Sequence, residues 1–129
     1  MSDRQLRALV VEDEHLLALN LAESLRRIGL SVAGVANDLT QALAFLEAPE
    51  RIDIAFIDLY LGREYHGLDL ARMADAKSVA VVLVTGHLSD AISDTLSTLK
   101  SAALLTKPFS VDQLQAVVAA VRRQMPGTA

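Results

Sequence analysis

Polar residues that could together handle a phosphoryl group stand at the ends of four short apolar runs of the sequence. In chain order they are Glu12 with Asp13, then Asp58, Thr85 and Lys107. Carboxylates placed close together repel each other, and they are costly to bury unless a cation neutralises them. Because oxygen ligands without histidine or cysteine suit hard divalent ions, these residue types favour Mg²⁺ over Zn²⁺.

The charges of these residues balance only when a metal ion is added. Glu12, Asp13 and Asp58 carry three negative charges, whereas Mg²⁺ and Lys107 together supply three positive ones. The metal, the ammonium group and a hydroxyl can stabilise phosphoryl oxygens. A central carboxylate could attack phosphorus and carry an acyl phosphate. Asp58 is the best placed for this, because it follows the middle run and has apolar neighbours.

The elements that must position these residues are five apolar runs, which alternate with longer segments of helical spacing. Runs of about 4–8 residues suit strands buried on both faces, as in parallel sheets. The alternation predicts one α/β domain, a doubly wound (βα)5 fold with helices on both faces of a five-stranded parallel sheet. The runs are Leu6–Val11, Ser31–Ala36, Ile52–Ile57, Ala80–Val84 and Ser101–Thr106. The second run is the weakest, because Gly34 interrupts it.

The intervening segments carry helix start and stop signals. Apolar residues recur every three or four positions in Leu17–Ile28, Leu39–Leu46, Leu68–Met73, Ile92–Leu99 and Leu114–Val121. Gly29 suits the end of the first helix, and the third helix is short and poorly bounded. The candidate N-terminal caps are Asp38 with Gln41, Ser89 or Asp90, and Ser110 with Gln113.

The strand ends predict where a site would form. In open parallel sheets, ligands bind beyond the carboxyl ends of the strands. If the first, third, fourth and fifth strands are neighbours, the acids, the threonine and the lysine converge on one cleft. The second strand ends at Asn37 and Asp38, which are better explained as a helix cap.

Composition narrows the class of protein. The chain has 129 residues, a net charge of −4 and no cysteine, which excludes disulfide frameworks and thiol catalysis. No apolar run reaches the roughly 18–20 residues of a membrane span, and Met1–Arg7 has no signal-peptide core. We therefore expect a cytoplasmic chain that neither inserts into membranes nor binds nucleic acid. One domain is expected over residues 1–129, with its core at about 5–124.

Four motifs resemble the receiver domain of two-component response regulators. They are "VVED" (Val10–Asp13), "FIDLYLG" (Phe56–Gly62), "VTGH" (Val84–His87) and "TKPF" (Thr106–Phe109). Together they span nearly the whole chain in the order and spacing of that family. The resemblance implies a flavodoxin-like fold with strand order 2-1-3-4-5. The "VTGH" turn also resembles a subgroup of single-domain receivers from alphaproteobacteria.

The resemblance also implies a role for each site residue. Asp58 is the expected phosphoacceptor and also an expected metal ligand. Asp13 is expected to bind Mg²⁺ directly, with Glu12 binding it directly or through water. Mn²⁺ can replace Mg²⁺ in such sites. The backbone carbonyl of Tyr60 is expected to be a metal ligand. Thr85, Gly86 and Lys107 are expected to bind the phosphoryl group and to act in the switch. The peptide bond between Lys107 and Pro108 is expected to be cis.

The implied function is that of a signalling domain and not an enzyme in its own right, although it assists its own phosphorylation and dephosphorylation. A sensor histidine kinase or a phosphotransfer protein is the expected donor. Phosphorylation is expected to switch a surface of helix 4, strand 5 and helix 5, which a downstream protein target reads. No residues remain for an output domain, so the resemblance implies a single-domain regulator.

The sequence departs from the family pattern at several positions. Leu104 stands where receivers usually carry an aromatic switch residue, so a ring-based switch is absent. Gly62 replaces a common proline. Tyr60 and His87 occupy positions that line the entrance to the phosphoryl site in the family. We expect the switch to use helix 4 and the loop before it.

The same residues are also compatible with other functions and with purely structural roles. The acids could simply cap the first helix, and Thr85 with Gly86 could form an ordinary turn. A Mg²⁺-dependent phosphatase would usually carry a second acid where Tyr60 stands. A nucleotide or flavin binder would need a glycine-rich loop after the first strand, which "VEDEHLLAL" lacks. A degenerate receiver that acts only as a docking module is the main alternative.

Overall fold

The computed structural model describes residues 4–59 and 67–126. Strands and helices alternate along this part of the chain, as the sequence pattern predicts. The strands are β1 (Arg7–Val11), β2 (Ser31–Ala36), β3 (Ile54–Asp58), β4 (Ala80–Thr85) and β5 (Ala102–Thr106). The helices are α1 (His15–Arg27), α2 (Leu39–Glu47), α3 (Gly67–Ala76), α4 (Asp90–Thr98) and α5 (Val111–Gln124).

The five strands form one parallel sheet in the order β2-β1-β3-β4-β5. This order confirms the doubly wound fold and makes β1, β3, β4 and β5 consecutive neighbours. Strands β3 and β4 are buried at every residue, because they lie in the interior of the sheet and helices cover both faces. The edge strand β2 is only half-buried over most of its length.

Each face of the sheet has its own apolar core. Phe56 packs with Leu25 of α1 and Leu114 of α5 on one face. Its neighbour Ile57 packs with Leu70 of α3 on the other face, where α2 and α4 also lie. Because successive strand residues point to opposite faces, a continuous apolar run serves both cores at once.

The end of the sheet opposite the strand carboxyl ends is held by a buried carboxylate. Asp53 lies just before β3 and accepts hydrogen bonds from the backbone N–H of Arg7 (2.8 Å) and from Nη2 of Arg4 (3.1 Å). Nε of Arg51 forms an ion pair with the same carboxylate at 3.1 Å. These contacts fix the start of β1 against the start of β3.

Most of the predicted helix ends are confirmed. Gly29 follows α1 with a φ of +106°, in the left-handed region that favours glycine. Ser89, not Asp90, caps α4 by accepting a hydrogen bond from the N–H of Ile92. Ser110 and Gln113 form the reciprocal capping box of α5.

The cap of α2 differs in one detail from the prediction. The side chain of Asp38 accepts from the N–H of Gln41 as expected, at 2.8 Å. The side chain of Gln41, however, reaches back to the N–H of Asn37, one residue further than in a standard capping box. Asn37 is therefore tied to the start of α2.

The element boundaries shift by a few residues from the sequence pattern. β3 begins at Ile54, two residues later than the apolar run, and includes Asp58 at its end. β4 likewise includes Thr85, and α3 continues to Ala76. Among the helices in residues 4–59 and 67–126, none is both long enough and apolar enough to cross a membrane.

Candidate functional site

The carboxyl ends of β1 and β3 bring three acids together. Glu12 and Asp13 follow β1 directly, and Asp58 is the last residue of β3, which pairs with β1. Each of the three acids offers a carboxylate oxygen, and these oxygens lie within 4.8 Å of one another. Glu12 and Asp58 are buried, whereas Asp13 is exposed. The predicted acidic cluster is therefore formed.

Lys107, which directly follows the edge strand β5, adds a positive charge to the cluster. Its Nζ lies 2.8 Å from Oδ2 of Asp58 and 3.3 Å from Oε1 of Glu12. The backbone N–H of Lys107 donates to the carbonyl of Thr85 (2.8 Å), which extends the pairing of β5 with β4 by one residue. The Lys107–Pro108 peptide is cis, as the family resemblance implies.

The proximity of these groups changes their proton affinities. Burial raises the pKa of Glu12 to about 7, and a hydrogen bond and charge repulsion from Asp58 act in the same direction. Burial alone would lower the pKa of Lys107, but its hydrogen bond and charge attraction to Asp58, with the charge of Glu12, outweigh burial and raise that pKa. When all three acids are ionised, three carboxylates face one ammonium group and leave an excess of two negative charges.

The cluster fits a hard divalent cation. All three side chains offer carboxylate oxygens, which Mg²⁺ prefers. Glu12 is oriented by the N–H of Glu14, which donates to its Oε2 at 3.1 Å. A doubly charged cation would neutralise the two negative charges that Lys107 leaves unbalanced. Tyr60, whose carbonyl the resemblance assigns to the metal and whose side chain it assigns to the site entrance, lies outside the described residues, as does Gly62.

Thr85 is buried at the end of β4, and its hydroxyl is engaged by its own loop. Oγ1 donates to the carbonyl of His87 (3.0 Å) and accepts from the N–H of His87 (3.1 Å). Gly86 between them is exposed, and a Cβ there would meet nothing within 4 Å. His87 is exposed. The expected role of Thr85 as a phosphoryl ligand would require it to give up the hydrogen bond that it donates to the carbonyl of His87.

Leu104 lies in β5 and is half-buried. It packs against the apolar core on the side of the sheet that holds α2, α3 and α4. Leu104, which occupies the position of the usual aromatic residue, therefore packs into the apolar core on the α4 side of β5.

Two site residues were not identified from the sequence. Asn37, interpreted only as part of a helix cap, donates from Nδ2 to the carbonyl of Glu12 at 3.0 Å. Gly67, the first residue of α3, lies so close to the site that a Cβ there would be 2.6 Å from Cα of Leu59 and 2.8 Å from the carbonyl oxygen of Asp58. The strand order would have pointed to Asn37, because the second strand ends beside the first.

A groove opens next to the cluster, between α1 and the start of α5. Its volume is about 550 Å³. Glu12 and Lys107 form its polar end, and Leu17, Leu21 and Phe109 contribute apolar walls. A mainly apolar groove therefore borders the acidic cluster on the side of α1.

Comparison with known proteins gives consistent matches. The family model described as the response regulator receiver domain matches residues 8–119. The transcriptional regulatory protein PdtaR of Mycobacterium tuberculosis is 32% identical over 119 residues, which cover 91% of this chain and 57% of that protein. The chain spans about half the length of the curated relatives it matches. The expectation of a regulator without an output domain therefore stays a prediction.

Solved structures match the fold along almost the whole chain. A CheY-like receiver domain protein from Methanospirillum hungatei has a TM-score of 0.79 at 23% identity and covers 94% of this chain and 97% of its own. A response regulator protein from Burkholderia pseudomallei, solved with a phosphorylated aspartic acid, a calcium ion and citrate, has a TM-score of 0.74 at 27% identity. That match covers 93% of this chain and 70% of the other.

Proposed function

The chain belongs to the response regulator receiver domain family, and from this membership we propose that it accepts a phosphoryl group on Asp58 from a sensor histidine kinase or phosphotransfer protein. The observation that carries the proposal is the position of the Asp58 carboxylate, between Lys107 on one side and Glu12 with Asp13 on the other. A relative at 27% identity was solved with a phosphorylated aspartic acid and a calcium ion, which supports the same chemistry here.

The proposed transfer uses each group of the cluster. A carboxylate oxygen of Asp58 forms a bond to phosphorus, while the phosphorus–nitrogen bond of the donor phosphohistidine breaks and the freed imidazole takes a proton from water. Glu12 and Asp13 would hold Mg²⁺, which when bound would neutralise charge on the phosphoryl oxygens. Lys107, which contacts Asp58 at 2.8 Å, moves its ammonium group to a phosphoryl oxygen.

The proposed switch starts at Thr85. Donation of its hydroxyl to a phosphoryl oxygen breaks the hydrogen bond to the carbonyl of His87, one of the two bonds that join Thr85 to the loop before α4. Ser89, the cap of α4, lies only two residues beyond His87. The surface of α4, β5 and α5 then shifts between two pre-existing arrangements, and a downstream protein target distinguishes them. Leu104 on β5 has no ring to rotate, so its part in the proposed switch is to repack against the apolar core beside α4.

The proposed setting is the cytoplasm, where kinases have access to ATP. The net charge of −4 gives no basis for nucleic-acid binding. The proposed role is signalling, in which the domain assists its own phosphorylation and dephosphorylation and does not turn over a separate substrate.

A phosphorylation-independent docking module is the second candidate. The observation in its favour is that the Thr85 hydroxyl is satisfied as both donor and acceptor within its own loop. Leu104 in place of the usual ring points the same way. Such a module would bind its partner equally well without Mg²⁺ or phosphate.

The deciding experiment is intact-protein mass spectrometry after incubation with a small phosphodonor, with and without Mg²⁺. We expect one phosphoryl adduct on the wild-type protein that requires Mg²⁺ and is lost in Asp58→Asn. An adduct that persists in Asp58→Asn would refute the acceptor assignment. A wild-type protein that gains no adduct and binds no beryllofluoride would favour the docking module.

A further inference from the structure

We propose that Asn37 is a positioning residue for the divalent-cation site, and that it holds the acidic loop Glu12–Glu14 from the end of β2. This inference rests on the proposed function, because it assumes that Glu12 and Asp13 bind the cation. Asn37 carries no charge and lies outside the acidic cluster. Its contribution would be the geometry of the backbone that presents the two acids.

Two consecutive residues at the end of β2 bind the main chain of Glu12, one at its N–H and the other at its carbonyl. The N–H of Glu12 donates to the carbonyl of Ala36 at 3.0 Å. Nδ2 of Asn37 donates to the carbonyl of Glu12, also at 3.0 Å. The peptide units on either side of Glu12 are therefore both fixed, and the second of them sets the direction of Asp13.

Asn37 is itself held in place. Its backbone N–H donates to Oε1 of Gln41 at 2.8 Å, in the first turn of α2. Asn37 is half-buried, so its side chain is partly shielded from water that could replace it. A continuous hydrogen-bonded path thus runs from the start of α2 to the loop that carries the acids.

The acidic loop needs such an anchor because its own charges oppose its conformation. Glu12, Asp13 and Glu14 are consecutive, and the first two must approach Asp58 for a cation to bind. Without the amide of Asn37, the carbonyl of Glu12 loses its donor and the following peptide can rotate. Asp13, which is exposed, would then move away from the other two carboxylates. Loss of a partner that orients a metal ligand typically weakens metal binding by about 10–100-fold.

The test compares Asn37→Leu, which keeps the size and removes the donor, with Asp38→Ala as the matched control. Asp38 is the neighbouring residue and caps the same helix, so its replacement destabilises the same corner of the fold. The capping hydrogen bond that this variant removes joins Asp38 to Gln41 and leaves the bond from Asn37 to Glu12 intact. Mg²⁺ affinity is measured by titration calorimetry, and the free energy of unfolding is measured in urea without Mg²⁺.

We expect Asn37→Leu to weaken Mg²⁺ binding about tenfold, whereas Asp38→Ala stays within about twofold of the wild type. Equal affinity in wild type and Asn37→Leu, or equal losses in both variants, would overturn the role of Asn37. A wild-type protein that binds no Mg²⁺ would instead overturn the metal site of the proposed function. If Asn37→Leu does not fold, Asn37→Ala decides by the same criterion.

Discussion

Replacing Gly67 with alanine should distort the backbone that presents Asp58. A Cβ at position 67 would lie 2.6 Å from Cα of Leu59, 2.8 Å from the carbonyl oxygen of Asp58 and 3.0 Å from that of Leu59. Ordinary carbon–carbon contacts are about 3.5–4.0 Å, so the two segments must separate by about 1 Å. All three atoms belong to the main chain, and no side-chain rotation can relieve the overlap.

The expected consequences differ in size for stability and for chemistry. Overpacking of this kind costs about 1–3 kcal/mol. A displacement of about 1 Å at a reacting group can lower a rate by about 10²-fold. Gly67→Ala should therefore lose much more phosphorylation rate than its modest loss of stability would explain.

The assay follows the phosphoryl adduct over time by intact mass, at saturating Mg²⁺ and a fixed concentration of small phosphodonor, with urea unfolding in parallel. Gly34→Ala is the control, because its Cβ would collide with the ring of Phe45, a side chain on the α2 side of the sheet. We expect the control to lose stability while its phosphorylation rate stays within about threefold of wild type. A Gly67→Ala protein with wild-type rate and stability would refute the steric reasoning.

Four further results are expected. Lys107→Ala should keep Mg²⁺ binding, because the carboxylates remain, yet impair the phosphorylation response; loss of Mg²⁺ binding in calorimetry would contradict this. Because protons compete for Glu12, whose pKa is raised to about 7, Mg²⁺ affinity should fall about tenfold between about pH 8 and pH 6. The stability of the metal-free protein should change in the opposite direction. The contribution of Glu12 to the free energy of unfolding is present below its unfolded pKa of 4.5 and is lost as pH rises through about 7. Between about pH 8 and pH 6 the metal-free protein should therefore gain stability relative to Glu12→Gln. Asp53→Ala should cost about 1–3 kcal/mol in urea unfolding, mainly by leaving the half-buried N–H of Arg7 without its partner, while Mg²⁺ affinity stays unchanged.

The sequence alone was sufficient for the class of fold, because burial on both faces requires continuous apolar runs. The central strands carry apolar residues on both faces, isoleucine, alanine and phenylalanine in β3 and alanine, valine and leucine in β4. This pattern can be seen in the sequence without knowing which strands are neighbours. Caps such as Ser110 with Gln113 were also predictable, since the two residues are only three positions apart. The start of β3 was misplaced by two residues, because Ile52 continues the apolar pattern while Asp53 leaves the strand to bind arginines.

The sequence also determined which chemical groups stand at the strand ends, and hence the type of site. What only the tertiary structure decided was how these groups meet. Lys107 reaches Asp58 across 49 residues of sequence and Glu12 across 95. The raised pKa of Glu12 depends on burial and on a neighbour from another strand. The hydrogen bond from Asn37 and the close approach of Gly67 likewise depend on backbone positions set by strand order. Residue types and local patterns are written along the chain, whereas these contacts arise only when distant segments pack.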